Sequence, residues 1–417
     1  MTFATTSSPT TPAVASRQRL LSACASIVTV ARVAVDESTS SPAATSPSRD
    51  IYIDFLRAFS LLVVVAWHWV FTIIIWQDDG PHATSPIGFT TGLWTATWLL
   101  QVMPLFFYVG GYAHLLSWRK AHANGDSIWR FVLRRIRRLA VPTLALLGVW
   151  IAAGIALGAI FNLEWIGRGV LLVVSPLWFM GVYLMLAALL PVFIWLHERW
   201  DSIVLVFLVA AAGTVDILRF RYGWEWLGLV NMIAVWGLCH QLGFFYERLV
   251  AAPRRTDWTL LWAGLAALGG LVASGLYPGS MVGVPGERSN MAPPTLCIVA
   301  LVIFQAGVAE ILRPAMEIRL ERIRWQRVSA TINRFSMPLF LFHTTGLAGY
   351  LAIRYALAGE RNEVREPTAT WWLFRPLAFV GPLLFTLPVI YLFGRQWVRH
   401  PRTKPSAPAG DRTAQTV

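Results

Sequence analysis

Charged side chains are scarce in this sequence. Asp, Glu, Lys and Arg make up 14% of its 417 residues, whereas soluble domains carry about 25%. Hydrophobic residues make up 56%, and apolar runs such as 144–160 and 260–271 approach the roughly 20 residues that span a bilayer. Because backbone in lipid must satisfy its own hydrogen bonds, runs this long predict helices rather than barrel strands. The sequence therefore predicts an all-α, polytopic membrane protein.

Motifs of several common enzyme classes are missing. The sequence has no glycine-rich phosphate loop, no Gly-x-Ser-x-Gly elbow, no His-Glu-x-x-His zinc motif and no paired acidic motif in a soluble domain. Its three cysteines, Cys24, Cys239 and Cys297, lie far apart and form neither a disulfide nor a metal-binding pattern. We therefore expect no metal in the chemistry.

The net charge of +13 raises the question of a polyanionic partner. The basic residues cluster in short segments between apolar runs, which is how membrane proteins set their topology. We therefore expect membrane lipids as neighbours and no nucleic acid as a partner.

The apolar runs predict ten membrane spans in one bundle. Basic residues concentrate after spans two, six and eight and in the C-terminal tail, which ten spans place on one side. An excess of Lys and Arg marks the cytoplasmic side. We therefore expect a multi-pass protein of the plasma membrane with both termini in the cytoplasm. The approximate spans are 55–76, 92–117, 139–161, 170–196, 202–219, 226–246, 257–277, 293–312, 335–356 and 373–394.

Three regions follow from this pattern. Residues 1–50 are rich in Ser, Thr, Ala and Pro, which predicts a mostly disordered cytoplasmic segment; a surface-lying helix over 20–35 is the alternative. Residues 51–396 form the ten-helix membrane domain. Residues 397–417 form a polar cytoplasmic tail.

Two ionisable residues share one face of the first span. Arg57 and His68 are eleven residues apart, which is about three helical turns and a rise of about 16.5 Å. Arg57 is expected at the cytoplasmic mouth, where it can pair with Asp54, and His68 near mid-membrane. Since an ionisable residue at membrane depth faces the bundle interior or a cavity, the pair predicts a functional site. The alternative for His68 is an interhelical hydrogen bond.

A run of arginines precedes the third span. Arg135 and Arg138 are three residues apart, as are Arg134 and Arg137, so each pair presents two guanidinium groups on one helical face. Guanidinium groups bind phosphates bidentately, and an acyl donor such as coenzyme A carries several phosphates. Arg134, Arg135 and Arg138 are therefore candidates, with Arg57, to bind such a phosphate-bearing donor; an anchor for anionic lipids is the alternative.

Other candidate residues come from later segments. His343 falls a few turns deep in span nine and could meet His68 in one cavity. Trp178 opens span four at the cavity side. Ser289 and Asn290 lie in an outer loop whose polar groups could meet an external acceptor.

These residues resemble the motifs of the acyltransferase 3 family of membrane acyltransferases. The match rests on Asp54-x-x-Arg57 with ten residues before His68, on Phe106-Phe107 and the glycines that follow, on Arg135-x-x-Arg138 before Pro142, on Leu177-Trp178-Phe179, and on the segment of His343. It covers about residues 50–396. One departure is Gly110, where many members have Ser.

The resemblance implies ten helices and transfer of an acyl group, often acetyl, from cytosolic acyl-CoA to a sugar or glycolipid hydroxyl at the outer side. It implies that His68 is the catalytic base and that Arg57, Arg135 and Arg138 handle the donor. We therefore expect an O-acyltransferase that acts on envelope carbohydrate or glycolipid, with acyl-CoA as co-substrate and His343 as a second catalytic residue. The rival hypotheses are a glycolipid or acyl-metabolite transporter and an inactive scaffold protein.

Overall fold

The computed structural model describes residues 50–161, 165–358 and 367–397. Within these ranges, ten helical segments are long and apolar enough to cross a membrane. This confirms the predicted all-α, polytopic architecture. The expectations for residues 1–49 and 398–417 lie outside the described residues.

The helices and strands follow one another in a simple order. The first half contains α1 (Ile51–Phe71), β1 (Ile73–Gln77), β2 (Gly80–Thr84), α2 (Thr97–Leu100), α3 (Met103–Ala123), α4 (Ile128–Phe161), α5 (Ile166–Val174), α6 (Trp178–Ala188), α7 (Leu190–Trp200) and α8 (Ile203–Tyr222). The second half contains α9 (Gly228–Leu242), α10 (Tyr246–Ala251), α11 (Arg254–Ala273), α12 (Leu296–Leu320), α13 (Ile323–Arg334), α14 (Ser336–Ala358), α15 (Ala369–Phe374) and α16 (Val380–Val389).

The bundle has two chemically distinct ends. The basic end carries the start of α1, the first turns of α4 and all of α13. The loop end carries the hairpin of β1 and β2 and the segment 274–295. Because α1 starts at the basic end and Gly394 packs against Pro338 beside the start of α14, the described chain begins and ends at the same end of the bundle.

The first span is shorter than predicted. The carboxylate of Asp50 caps α1 by accepting from the backbone N–H of Ile53, and the helix ends where Thr72 turns to extended backbone. Of residues 72–76, expected to be helical, Thr72 ends the helix and 73–76 belong to β1, which pairs antiparallel with β2. Three consecutive isoleucines favour a strand, and the Asp-Asp-Gly that follows favours a turn.

The third span begins earlier than predicted. The helix α4 runs over 34 residues, about 51 Å, whereas the hydrocarbon core is about 30 Å thick. Its first turns, expected to be part of a loop, therefore carry Arg134, Arg135 and Arg138 on helical backbone at the basic end.

Small residues let α3 and α9 approach closely. A Cβ on Gly111 would lie 1.8 Å from the carbonyl oxygen of His240, and one on Gly243 would lie 2.0 Å from that of Tyr108. Since a backbone carbonyl cannot move aside as a flexible side chain can, both positions require glycine.

We therefore expect Gly111→Ala to lower the free energy of unfolding by about 1–3 kcal/mol, the typical cost of overpacking. Thermal unfolding in detergent measures this. Gly269→Ala in α11 is the matched control, because among the described residues no atom beyond its own stretch of helix lies within 4 Å of the added Cβ. A Gly111→Ala protein as stable as the Gly269→Ala protein would contradict the packing described here.

Candidate active site

His68 and His343 meet at one site. Their ring centroids are 5.0 Å apart in an edge-to-face arrangement. The Nδ1 atom of His68 lies 2.8 Å from the carbonyl oxygen of Val64, and that of His343 lies 2.6 Å from the carbonyl oxygen of Phe340. Because a carbonyl oxygen only accepts, each neutral imidazole carries its proton on Nδ1. Both Nε2 atoms are therefore proton acceptors.

The two Nε2 atoms differ in their surroundings. His68 lines a cavity of about 450 Å³, so its Nε2 is the nitrogen left for a molecule in that cavity. The Nε2 of His343 is buried without a hydrogen-bond partner among the described residues. An unpaired buried acceptor is costly, and His343 does not itself line the cavity but packs against the ring of His68.

Residues that lie far from α1 in the sequence hold its last turn in place. The indole nitrogen of Trp69 donates to the carbonyl oxygen of His343 at 2.9 Å. The guanidinium of Arg375 donates to the carbonyl oxygens of Val70 and Thr72, which lie at the open end of the helix. These contacts fix His68 relative to His343.

The cavity lies nearer the loop end than expected. His68 is in the last turn of α1, which corrects the prediction that it lies near mid-membrane. The hairpin and the loop segment fold over this turn, because Ala83, Ser85, Val282 and other residues of both segments line the cavity. The hairpin and the loop segment therefore cover His68, which lies only three residues before the end of α1.

The structure places the residues predicted for the acceptor side in different environments. Trp178 lines the cavity. Asn290 is fully buried elsewhere, where its amide donates to the carbonyl oxygens of Pro278 and Ser280 and accepts from the hydroxyl of Thr295. The expectation that Asn290 faces an acceptor is corrected, because its hydrogen-bonding atoms hold the loop together.

Ser289 also forms hydrogen bonds within its own loop. Its hydroxyl oxygen accepts from the backbone N–H groups of Met291 and Ala292 at 3.0 and 3.2 Å, and its side chain does not line the cavity. Ser289 is partly exposed, and its role toward an acceptor stays a prediction.

Arg57 lies at the basic end, about three turns from His68 on the same helix. Its guanidinium donates to the Asp54 carboxylate, as predicted from their spacing, and to the amide oxygen of Asn333 at 2.8 Å. The amide nitrogen of Asn333 donates in turn to the backbone carbonyl of Asp54. Arg57 therefore joins α1 to α13 and is held at the border of the bundle.

The arginines at the start of α4 have different environments. Arg134 forms an ion pair of 2.5 Å with Asp126 at the surface, and this guanidinium lowers the pKa of that carboxyl. Its partner is thus a surface carboxylate, and we leave Arg134 out of the donor site. The Nε of Arg135 is buried without a hydrogen-bond partner in the described ranges, whereas Arg138 is exposed.

A second histidine pair lies between the two ends. The Nδ1 atom of His114 is 2.9 Å from the Nε2 atom of His240, and both side chains are fully buried. Arg135 is within electrostatic range of both rings. His114 was missed because a single histidine near the end of a long apolar segment gives no pattern.

The space above Gly110 is filled by an aromatic ring. A Cβ at this position would lie 3.2 Å from the ring of Tyr183. The ring of Tyr183 also packs edge to face against His114. Thus Tyr183 occupies the volume that a serine side chain would need at the position where this sequence departs from the family pattern.

A ten-span bundle with His68 at a cavity, the His343 ring packed beside it and arginines at the opposite end defines a polytopic membrane protein. Residues 50–395 match the family model described as an acyltransferase domain. The chain therefore belongs to the acyltransferase 3 family and is a membrane acyltransferase. No curated protein and no solved structure matches it.

Proposed function

We propose that this protein transfers an acyl group, acetyl in the simplest case, from cytosolic acyl-CoA to a hydroxyl group of an envelope carbohydrate or glycolipid. The observation that carries the proposal is the proton-accepting Nε2 of His68, which is the ring nitrogen left for the cavity. The protein would lie in the plasma membrane, with its basic end and both termini in the cytoplasm.

The chemistry requires one base at the acceptor hydroxyl. His68 takes the hydroxyl proton on Nε2 as the oxygen attacks the thioester carbonyl. The carbon–sulfur bond then breaks, and the departing thiolate takes the proton from His68. The products are the O-acyl ester and free coenzyme A, and His68 returns to its neutral form.

His343 acts beside this base. Its neutral Nε2 cannot donate, so it does not polarise the thioester carbonyl. It accepts a hydrogen bond from the acceptor hydroxyl, or from the Nε2–H of protonated His68. Either contact orients the groups that exchange the proton. A covalent acyl-histidine intermediate is the alternative route, and it would give ping-pong kinetics.

The donor would enter from the basic end. Arg135, Arg138 and Arg57 supply positive charge where the nucleotide of acyl-CoA would bind, and the thioester arm would extend along α1 toward His68. The proposal thus requires the thioester arm to reach across about three helical turns, roughly 16.5 Å, from Arg57 to His68.

Two measurements test the proposal. Purified protein in lipid nanodiscs should transfer label from [¹⁴C]acetyl-CoA to a glycan or glycolipid fraction. Mass spectra of envelope glycans and glycolipids from cells with and without the gene should differ by one acyl mass on the acceptor. Movement of an unmodified glycolipid across the membrane without ester formation would instead favour a transporter.

A further inference from the structure

The hairpin of β1 and β2 forms a wall of the cavity that contains His68. Ala83, Thr84 and Ser85 line the cavity. In the strand register Thr84 pairs with Ile73, which is two residues after the end of α1. The base and the wall that faces it are therefore parts of one continuous stretch of chain.

The far end of the hairpin is attached by polar contacts at the surface. Asp79 forms an ion pair with Arg168 of α5 and lies 2.7 Å from the Nε2 atom of His82. The hydrogen bond with His82, and then the charge of Arg168, lowers the pKa of the Asp79 carboxyl, so it stays ionised at neutral pH. Because Asp79 and Arg168 are 54% and 38% exposed, their pair is screened by water and holds the hairpin weakly.

An aromatic contact lies beside this ion pair. The ring of Trp76 packs between Trp165 and Tyr355, with centroids 5.0 Å from each. A Cβ on Gly80 would lie 2.6 Å from the Cβ of Trp165, so the strand rests directly on that residue. The hairpin is therefore attached at its turn, away from the cavity, by an exposed ion pair and an aromatic contact.

The cavity presents two kinds of surface. Its lining includes the aromatic residues Trp67 and Trp178 and two hydroxyl-bearing residues, Thr84 at the end of β2 and the adjacent Ser85. A sugar ring has the same two features, apolar faces and a rim of hydroxyl groups. A volume of about 450 Å³ suits a small ligand.

We propose that the hairpin is a gate that closes over one sugar ring of the acceptor, and that Thr84 and Ser85 select that ring through its hydroxyl groups. This inference rests on the proposed function and names its acceptor site. Closure would place the acceptor hydroxyl at His68 and exclude water that would otherwise hydrolyse the thioester.

Arg168→Gln tests the gate. Loss of the ion pair should raise acetyl-CoA hydrolysis without acceptor by about two- to fivefold, the factor that an exposed ion pair provides. Arg221→Gln, which removes an exposed arginine near the end of α8, is the matched control and should leave hydrolysis unchanged. Equal hydrolysis by the Arg168→Gln variant and wild type would show that the hairpin is a fixed cover.

Thr84→Val and Ser85→Ala test the selection. With methyl glucoside as the acceptor probe, each should raise KM about three- to tenfold, the value of one hydrogen bond. With 1-octanol, a lipid-like alcohol, KM should not change. Unchanged KM for the glycoside, or wild-type preference for octanol, would contradict a sugar site. Absence of any wild-type acyl transfer would contradict the proposed function itself, whereas a working wild type with unaltered variants would contradict only the gate and its sugar site.

Discussion

His68→Ala should lower the rate of acyl transfer by about 10²–10⁴-fold, the usual contribution of a general base. The loss should appear in kcat, because His68 acts on the proton that moves in the transition state. Donor binding should change little, since the cationic groups proposed to bind the donor lie at the opposite end of the bundle. Initial rates with labelled acetyl-CoA in nanodiscs measure both quantities.

The matched control is His122→Ala. His122 is an exposed histidine in the last turn of α3, outside the cavity. This variant should retain wild-type activity, which separates loss of the base from loss of any histidine. A folded, membrane-inserted His68→Ala protein with wild-type transfer would rule out the base mechanism.

The phase of Arg57 and His68 was predictable, but the depth of His68 was not. Eleven residues make three turns wherever the helix starts, so periodicity alone places both side chains on one face. Depth depends on where the helix ends. Hydropathy alone extends the first apolar span through Ile73–Ile75, whereas in the structure these β-branched residues form a strand that pairs with β2.

Contacts over long sequence distances were not predictable. Arg375 holds the end of α1 from 305 residues away, and no local pattern indicates which carbonyl groups it will meet. Asn290 was misplaced for a related reason. From the sequence, a polar loop residue is expected to face solvent. Asn290 is buried instead, and its amide donates hydrogen bonds to carbonyl groups of its own loop.

The location of the arginines at the start of α4 was predictable, but their individual partners were not. Four arginines in five residues predict a basic membrane border, and the structure places them at one end of the bundle. They looked equivalent because charge alone does not reveal partners. Asp126, eight residues before Arg134, binds that guanidinium and separates it from the others.

The double substitution Arg135→Gln and Arg138→Gln should raise KM for acyl-CoA by about 10- to 100-fold, because one hydrogen bond to a charged group contributes about 1.5–3 kcal/mol. The change in kcat should be smaller, since the donor phosphates take no part in the reacting bonds. Arg137→Gln is the matched control: Arg137 is exposed and points to another face of the same helix.

A truncated donor makes this prediction specific. Acetyl-pantetheine carries the thioester and its arm but no phosphate, so the wild type should use it poorly. The double variant should then use it as well as the wild type does, because the arginines have no phosphate to bind. If the substitutions slowed both donors equally, Arg135 and Arg138 would serve the stability or lipid anchoring of α4, and the phosphates of the donor would bind elsewhere.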